Sequence, residues 1–347
     1  PGHRTTGPLR VAGLLALLGL LALPLAVSAQ AAGPAQESDW RRANDAVGAL
    51  RRGHADVLQW EQANPGASAV TPGGTTGAAL PTAEAAVRSA WQVHRDLAGP
   101  LSRLGPQNAQ WIAQGRWTAL DPGLLRSVKD ADEVLEMALQ ARKAWIQAVA
   151  AQQVRKHQRD LLDAAQAALE LGQRMVTLGN WSRLQLTPVQ LAATNARMDL
   201  RRATYAAAQA QATLVRMLGL MGLQDGFVLP DQLPEIPAQA MSEADVQQRA
   251  EAMRSQLPIA ERLRNRALAR EALHAYQAAH ALAQDNQGEV LKTRALITEE
   301  TLLHYNGMLK SVWDLLDEVR QQSQATVEAI GAQRDFWIAE ADLQWVL

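Results

Sequence analysis

The chain reads as an all-α protein, dominated by long antiparallel helical hairpins that form a tandem-repeat coiled coil with little or no β-structure. Three observations predict this. The segment from Asp130 to Leu178 contains no Pro and a single Gly, Gly172. At about 1.5 Å per residue it makes a rod of roughly 70 Å, far beyond a globular helix. The following segment carries an alanine-rich heptad seam. A second such seam recurs 129 positions later.

The composition agrees with packed helices. Hydrophobic residues make up 48% of the 347 positions, yet there are only 2 Phe and 3 Tyr, and much of the apolar content is Ala. Small side chains let helices approach closely, whereas a sheet sandwich needs β-branched and aromatic residues. Lys+Arg 34 against Asp+Glu 35 leaves a net charge of -1, so no global field draws the chain to nucleic acid. The absence of Cys excludes disulfides, thiolate metal sites and cysteine nucleophiles.

Residues 1–31 have the layout of a signal peptide. Arg4 and Arg10 supply a basic start, Val11 to Val27 is almost uninterruptedly apolar, and Val27-Ser28-Ala29 and Ala29-Gln30-Ala31 are cleavage options. Export across the inner membrane, to the periplasm or outer membrane of a Gram-negative bacterium, is the expectation. Residues 37–63 form an N-terminal amphipathic helical segment with Trp40 and Trp60. Arg41-Arg42 and Arg51-Arg52 beside these indoles could suggest nucleic acid or anionic lipid; an apolar-striped helix is the plainer reading. Residues 64–80 are a linker of Asn, Pro, Gly, Ser and Thr.

Residues 81–221 form the first helical repeat. Short helices come first, broken at Gly99-Pro100, Gly105-Pro106 and Pro122. In the long helix from Asp130, one face carries Leu135, Ala138, Trp145, Val149, Leu161, Ala165, Ala168, Gly172 and Met175. Asp130, Asp132 and Glu133 suit its first turn, where the macrodipole favours acids. Gly179-Asn180 ends it, and Thr187-Pro188 reads as the N-cap and N1 of the next helix. That helix carries its seam at Ala193, Ala196, Leu200, Ala203, Ala207, Ala210, Leu214 and Met217.

Residues 222–241 are a Pro-rich linker and 242–347 the second repeat. Ser242 reads as an N-cap, Pro258 as an interruption, Gln287-Gly288 as a helix end, and Trp313 as near the start of the last helix. Its seam is Ala325, Ala329, Ala332, Phe336, Ala339, Leu343 and Val346. Each lies 129 positions beyond a member of the first seam, and Leu184 and Leu186 map in the same way onto Trp313 and Leu315. This is the signature of a duplicated unit: long helix, break, long helix.

No catalytic, cofactor or metal constellation emerges. The nearest metal pair is Glu300 and His304, four apart on one helix face, which lacks a third ligand and reads as a surface ion pair. His274 and His280 do not share a face. No phosphate loop or nucleophile elbow occurs. The chain is not expected to be an enzyme.

The run Leu178-Gly179-Asn180-Trp181-Ser182-Arg183-Leu184, with the following helix ending in Leu218-Gly219-Leu220, resembles the first repeat of TolC-family outer-membrane efflux proteins. The linker Leu229 to Pro237 resembles the bridge between repeats in that family. Ile297-Thr298-Glu299-Glu300, Tyr305-Asn306-Gly307-Met308 and Arg334 to Leu343 resemble the second repeat. The resemblance implies a homotrimer whose hairpins form a periplasmic α-barrel for passive export. Its partners would be a periplasmic adaptor (membrane fusion) protein and an inner-membrane pump, and it would associate with the outer membrane. The implied adaptor-docking and aperture tips are Gly179, Asn180, Ser182, Arg183, Leu184 and Gln185, with Asn306, Gly307, Lys310, Ser311 and Asp314.

Two departures stand out. The family's acidic residue six after the tip Gly is replaced by Gln185 in the first repeat, and Asp314 lies seven after Gly307 in the second. No ten-residue stretch alternates as an outer-membrane strand should, and Leu257 to Gln287 reads as helix where the resemblance would place strands. A pore-less periplasmic coiled-coil interaction protein of TolC-like ancestry is the alternative expectation.

Overall fold

Helices in this protein run as far as their caps allow, and the caps define two hairpins of matching length. The structure, a computed structural model, describes residues 78–220, 227–254 and 259–347. The expected signal peptide and N-terminal amphipathic segment lie outside these residues, as do nearly all of the first linker and the beginning of the second.

A two-residue strand, β1 (Ala78–Ala79), leads into α1 (Ala83–Val93), whose N-cap Thr82 accepts a hydrogen bond from the Ala85 amide at 3.2 Å. A 3₁₀ turn, Arg95–Leu97, precedes α2 (Ala98–Gln114), kinked at Gly105, where φ is +79°. Asp121 caps α3 (Pro122–Ser127) with Pro122 at its start. Then come the two long helices of the first hairpin, α4 (Ala131–Thr177, 47 residues) and α5 (Arg183–Met217, 35 residues). A second short strand, β2 (Phe227–Val228), pairs in parallel with β1, and α6 (Glu243–Arg254) follows. The second hairpin is α7 (Ile259–Asp285), a π-helical segment Asn286–Val290, α8 (Leu291–Asn306) and α9 (Val312–Val346, 35 residues).

Three sequence expectations are corrected. Thr187-Pro188 does not begin α5. Ser182 and Gln185 form a capping box five residues earlier, and Pro188 sits in the second turn. A reciprocal cap satisfies two backbone donors at once, so it outweighs the disfavoured interior Pro. Gln287-Gly288 does not end a helix: the π segment carries the backbone through it into α8. Asp130 precedes α4 with φ at +65° and makes no side-chain cap, while Asp132 and Glu133 do occupy the first turn. The described part of the second linker packs onto the helices. Leu229 and Leu233 are buried, and the Pro234 carbonyl accepts from Gln333 Nε2 at 2.7 Å and Trp337 Nε1 at 3.0 Å.

The π segment has a simple origin. Beyond it the repeats align at 129 residues: Gly172 with Thr301, and Leu186 with Leu315, are buried pairs. Before it, buried positions align at 128: Ala141 with Ala269, Trp145 with Leu273, Ala148 with Tyr276. The second repeat holds one extra residue, and a π turn absorbs one residue without breaking the helix.

Helix order follows from the contacts. α4 packs along α5 on one side and along α9 on the other, while α9 packs against α7 and α8. The order α5, α4, α9, α7/α8 is therefore an open row of four antiparallel helical strands. Within the first hairpin the seam is small: Ala193, Ala196, Ala203 and Ala207 are buried, with Leu186, Val189 and Leu214 toward its ends. Alanines permit close approach but each contributes little burial. The larger payload sits at one end, where Trp91, Trp117 and Trp145 are buried around the first half of α4. All three indoles are satisfied: Trp91 Nε1 donates to the Val134 carbonyl at 3.3 Å, Trp117 Nε1 to Ile112 at 2.7 Å, and Trp145 Nε1 to Leu80 at 3.0 Å. A second cluster joins Val246, Leu273, Tyr276, Phe336 and Leu343 at the same end of the second hairpin. That end is the anchored base, and the α4–α5 and α8–α9 turns are the free tips.

Gly115 ties α2 to this base. Its φ is +76°, and a Cβ there would lie 2.6 Å from the Arg142 guanidinium. Gly115→Ala is expected to destabilise the chain by about 1–2 kcal/mol, the left-handed cost plus displacement of a packed side chain, read as a lowered urea midpoint.

Candidate functional sites at the hairpin tips

The two tips are built alike. At the first, the Leu178, Gly179 and Asn180 amides donate to the Arg174, Val176 and Met175 carbonyls, and Trp181 donates to Met175 as well. At the second, Gly307, Met308 and Leu309 donate to Leu303, Tyr305 and His304, and Lys310 donates to His304. Every donor and acceptor is displaced by the same 129 residues. The caps repeat too. Ser182 Oγ accepts from the Gln185 amide at 3.2 Å, while the Ser182 amide donates to Gln185 Oε1 at 2.7 Å. Ser311 Oγ accepts from the Asp314 amide at 3.3 Å, and the Ser311 amide donates to Asp314 Oδ2 at 2.9 Å.

This register revises the pairing of tip glycines. Gly179 is left-handed, with φ at +77°, and its equivalent is Met308 at +59°; Gly307 has an ordinary φ of -80°. Counted from these left-handed positions, Gln185 and Asp314 both fall six residues on, at the third helical position of their capping boxes. The sequence motif drew attention to Gly307 because glycine is the usual left-handed residue. The turn instead accepts the strain at Met308, whose side chain is 94% exposed.

All the tip residues expected from the sequence are exposed: Gly179, Asn180, Ser182, Arg183, Leu184 and Gln185, then Asn306, Gly307, Lys310, Ser311 and Asp314. Around them stand apolar side chains that the motif comparison passed over. Leu178, Met308 and Leu309 join Leu184 in facing solvent. Beneath the first tip, Gly172 leaves room for Trp181 and Leu186; a Cβ on it would meet them at 3.1 and 2.9 Å. The second tip has Thr301 and Lys310 at the equivalent places, and Lys310 Nζ donates to Thr301 Oγ at 3.2 Å. The tips touch through Trp181 and Trp313, ring centroids 5.6 Å apart. The duplication alone could not reveal that contact, because Trp313 is the counterpart of Leu184 and not of Trp181.

Asp314 is held below the usual carboxylate range by its hydrogen bonds with the Ser311 hydroxyl and amide. Gln185 makes the same cap without a charge.

The outer edges of the four-strand row carry a second feature. On α5, Leu184, Leu191, Met198 and Tyr205 recur every seven residues and all are exposed. On the opposite edge Leu268, Leu282, Val290 and Ile297 are exposed at heptad spacing once the extra π residue is counted. Heptad-spaced apolar residues are coiled-coil seams, and these two have no partner helix within the described chain. Among the described residues no helix is long and apolar enough to cross a membrane, and no group of His, Asp and Glu could hold a metal ion.

No protein-family model matches the chain, and no curated protein matches it by sequence. Solved structures do match. One is a membrane protein from Pseudomonas aeruginosa, with a TM-score of 0.52 at 13% identity, over 68% of this chain and 73% of that one. The chain shares the fold of that membrane protein. A second match is CusC, from crystal structures concerned with conformational changes accompanying folding and transmembrane channel formation. Its TM-score is 0.44 at 14% identity, over 76% of this chain and 92% of that one. The fold-level statement rests on the first of the two.

Two outcomes are expected of the tips. Met308→Gly relieves a left-handed side chain and should raise stability by up to about 1 kcal/mol, net of the greater freedom glycine gives the unfolded chain, measured as a shifted urea midpoint. Because the folded-state titration of Asp314 is depressed, its cap contributes above the ordinary carboxylate range and is lost as pH falls through the lowered value. Amide exchange at the start of α9 should therefore accelerate in acid, relative to intrinsic rates, while the start of α5 does not respond.

Proposed function

We propose that the chain is the outer-membrane channel component, TolC-like, of a tripartite efflux system, conducting substrates passively through a periplasmic α-barrel. The observation that carries this is the open row of helical strands with an unpartnered heptad seam on each edge. The two edges differ, so a copy-to-copy contact would be head-to-tail, and such contacts close into rings when the rotation permits. A homotrimer of four-strand protomers would bury both seams. The shared fold with a membrane protein supports the reading. Gly179 to Gln185 and Asn306 to Asp314 are the proposed contacts with a periplasmic adaptor, itself linked to an inner-membrane pump. Nothing in this scheme calls for catalysis or a cofactor.

A second reading is favoured by one observation. α7 is helical over Ile259–Asp285, where the family resemblance would place membrane strands. On this reading the chain is a pore-less periplasmic coiled-coil protein that uses the same tips to bind a partner.

Cell fractionation with carbonate washing separates the two. A heat-resistant trimer in the outer membrane supports the channel; a chain found only as a soluble periplasmic monomer overturns it. For the edge seams, Leu191→Glu with Tyr205→Glu should weaken self-association on the order of a hundredfold, each buried apolar side chain contributing about 1.5–3 kcal/mol. Sedimentation equilibrium reads this directly. Single cysteines replacing Ser182 or Ser311 should crosslink to the adaptor, and capture by neither removes the docking role.

A further inference from the structure

The two outer edges of the helical row carry opposite charge. On α5, Leu184, Thr187, Leu191, Thr194, Met198, Arg201 and Tyr205 alternate three and four positions apart, and every one is exposed. This is a coiled-coil seam without a partner among the described residues. Arg183, Arg197 and Arg202 flank it and are exposed as well, and the single acid of that stretch, Asp199, is already paired with Arg202 at 2.8 Å. On the π segment and α8, Glu289, Thr293, Leu296, Glu300 and Leu303 alternate four and three apart and are likewise all exposed. Glu299 flanks this seam and Asp285 stands one turn before it, both exposed. The bases there are Lys292, which is exposed, and Arg294, which turns to Glu318 of α9 at 3.4 Å.

We propose that a second copy of this chain covers these edges, α5 of one copy against α7 and α8 of the next, and that their opposite charges select this contact over either edge meeting its own kind. The proposal rests on the contact between copies that the channel reading requires, and adds what chooses the edges.

Charges flanking a coiled-coil seam set partner and orientation. Two α5 edges brought together would oppose arginine to arginine, and two α8 edges glutamate to glutamate, both unfavourable; α5 against α8 opposes unlike charges. The levels agree too. Arg197 and Arg202 lie 15 and 20 positions after the cap Ser182, while Glu289 and Asp285 lie 17 and 21 positions before Asn306, the end of α8. At about 1.5 Å per residue, these clusters stand at a common height when the tips of two copies lie at the same end. The helices are then antiparallel, since α5 runs away from its tip and α8 toward its own. Inside the chain α4 and α9 also meet through opposite charges: Arg142 faces Glu340 at 3.6 Å, and Lys143 pairs with Asp342. A contact between unlike edges is head-to-tail, so the same charges that favour it disfavour a two-fold dimer.

Charge reversal tests this on the full purified chain by sedimentation equilibrium. Arg197→Glu with Arg201→Glu puts acids on both edges, and Glu289→Arg with Glu300→Arg puts bases on both. All four side chains are exposed, so the fold tolerates the changes. Each half-swapped chain should self-associate on the order of tenfold more weakly than the native one, as pairs that attracted now repel. Combining all four changes restores unlike edges and should restore association, which misfolding of the half-swapped chains could not explain. In the native chain, raising NaCl from about 0.1 M to about 1 M shortens the screening length from about 10 Å to about 3 Å and should loosen association. Half-swapped chains that associate like the native one overturn the charge selection and leave the channel reading to its fractionation test. A four-fold variant that stays dissociated also overturns it, as does a native chain that is monomeric at every concentration. If the half-swapped chains do not fold, native association unmoved by salt overturns it instead. A chain that obeys the swaps but fractionates as a soluble periplasmic protein keeps this contact and loses the channel.

Discussion

The close approach of α4 to α5 along alanine side chains is the constraint on which the rest of the structure depends. Neither helix buries enough apolar surface to be stable alone at this length, and the alanine seam supplies proximity more than energy. Stability therefore has to come from the ends. At the base it comes from tryptophans whose indole nitrogens reach backbone carbonyls, and from a linker clamped beneath Trp337. At the tips it comes from reciprocal caps that begin α5 and α9 at equivalent positions. The result is a rod firmly held at one end and lightly held at the other.

That gradient leaves the two tips clear of the packing at the base. The tips expose leucines and a methionine on turns whose backbone geometry is reproduced twice in one chain, although the side chains filling the turns differ. Trp181 over Gly172 in the first tip becomes Lys310 bonded to Thr301 in the second. The duplicated backbone thus presents two related but chemically distinct surfaces, joined by the Trp181–Trp313 contact. The free edges of the row add exposed apolar residues at heptad spacing, the kind of surface that marks an interaction site.

The joint between the hairpins obeys another logic. The α4–α5 seam is small and apolar, whereas the α4–α9 contact combines buried Ile330 and Ala341 with the Arg142–Glu340 and Lys143–Asp342 ion pairs.

Much of this was legible from the residues alone. The long helices follow from the absence of Pro between Asp130 and Leu178, and the repeat from matching heptad phases, both of which are local or periodic signals. The tip residues were legible as exposed breaks. What sequence reasoning missed were competitions between neighbouring signals and contacts between distant residues. Thr187-Pro188 resembled a helix start, but the Ser182–Gln185 box was the better cap; Gly307 resembled the left-handed residue, but hydrogen-bond register gave that place to Met308. Gln287-Gly288 resembled an end, but one inserted residue became a π turn. The Trp181–Trp313 contact, the order of the helical row and the Arg142–Glu340 pairing between α4 and α9 were decided by tertiary structure alone. Spacing along a helix determines which residues share a face, whereas only packing determines which two faces meet.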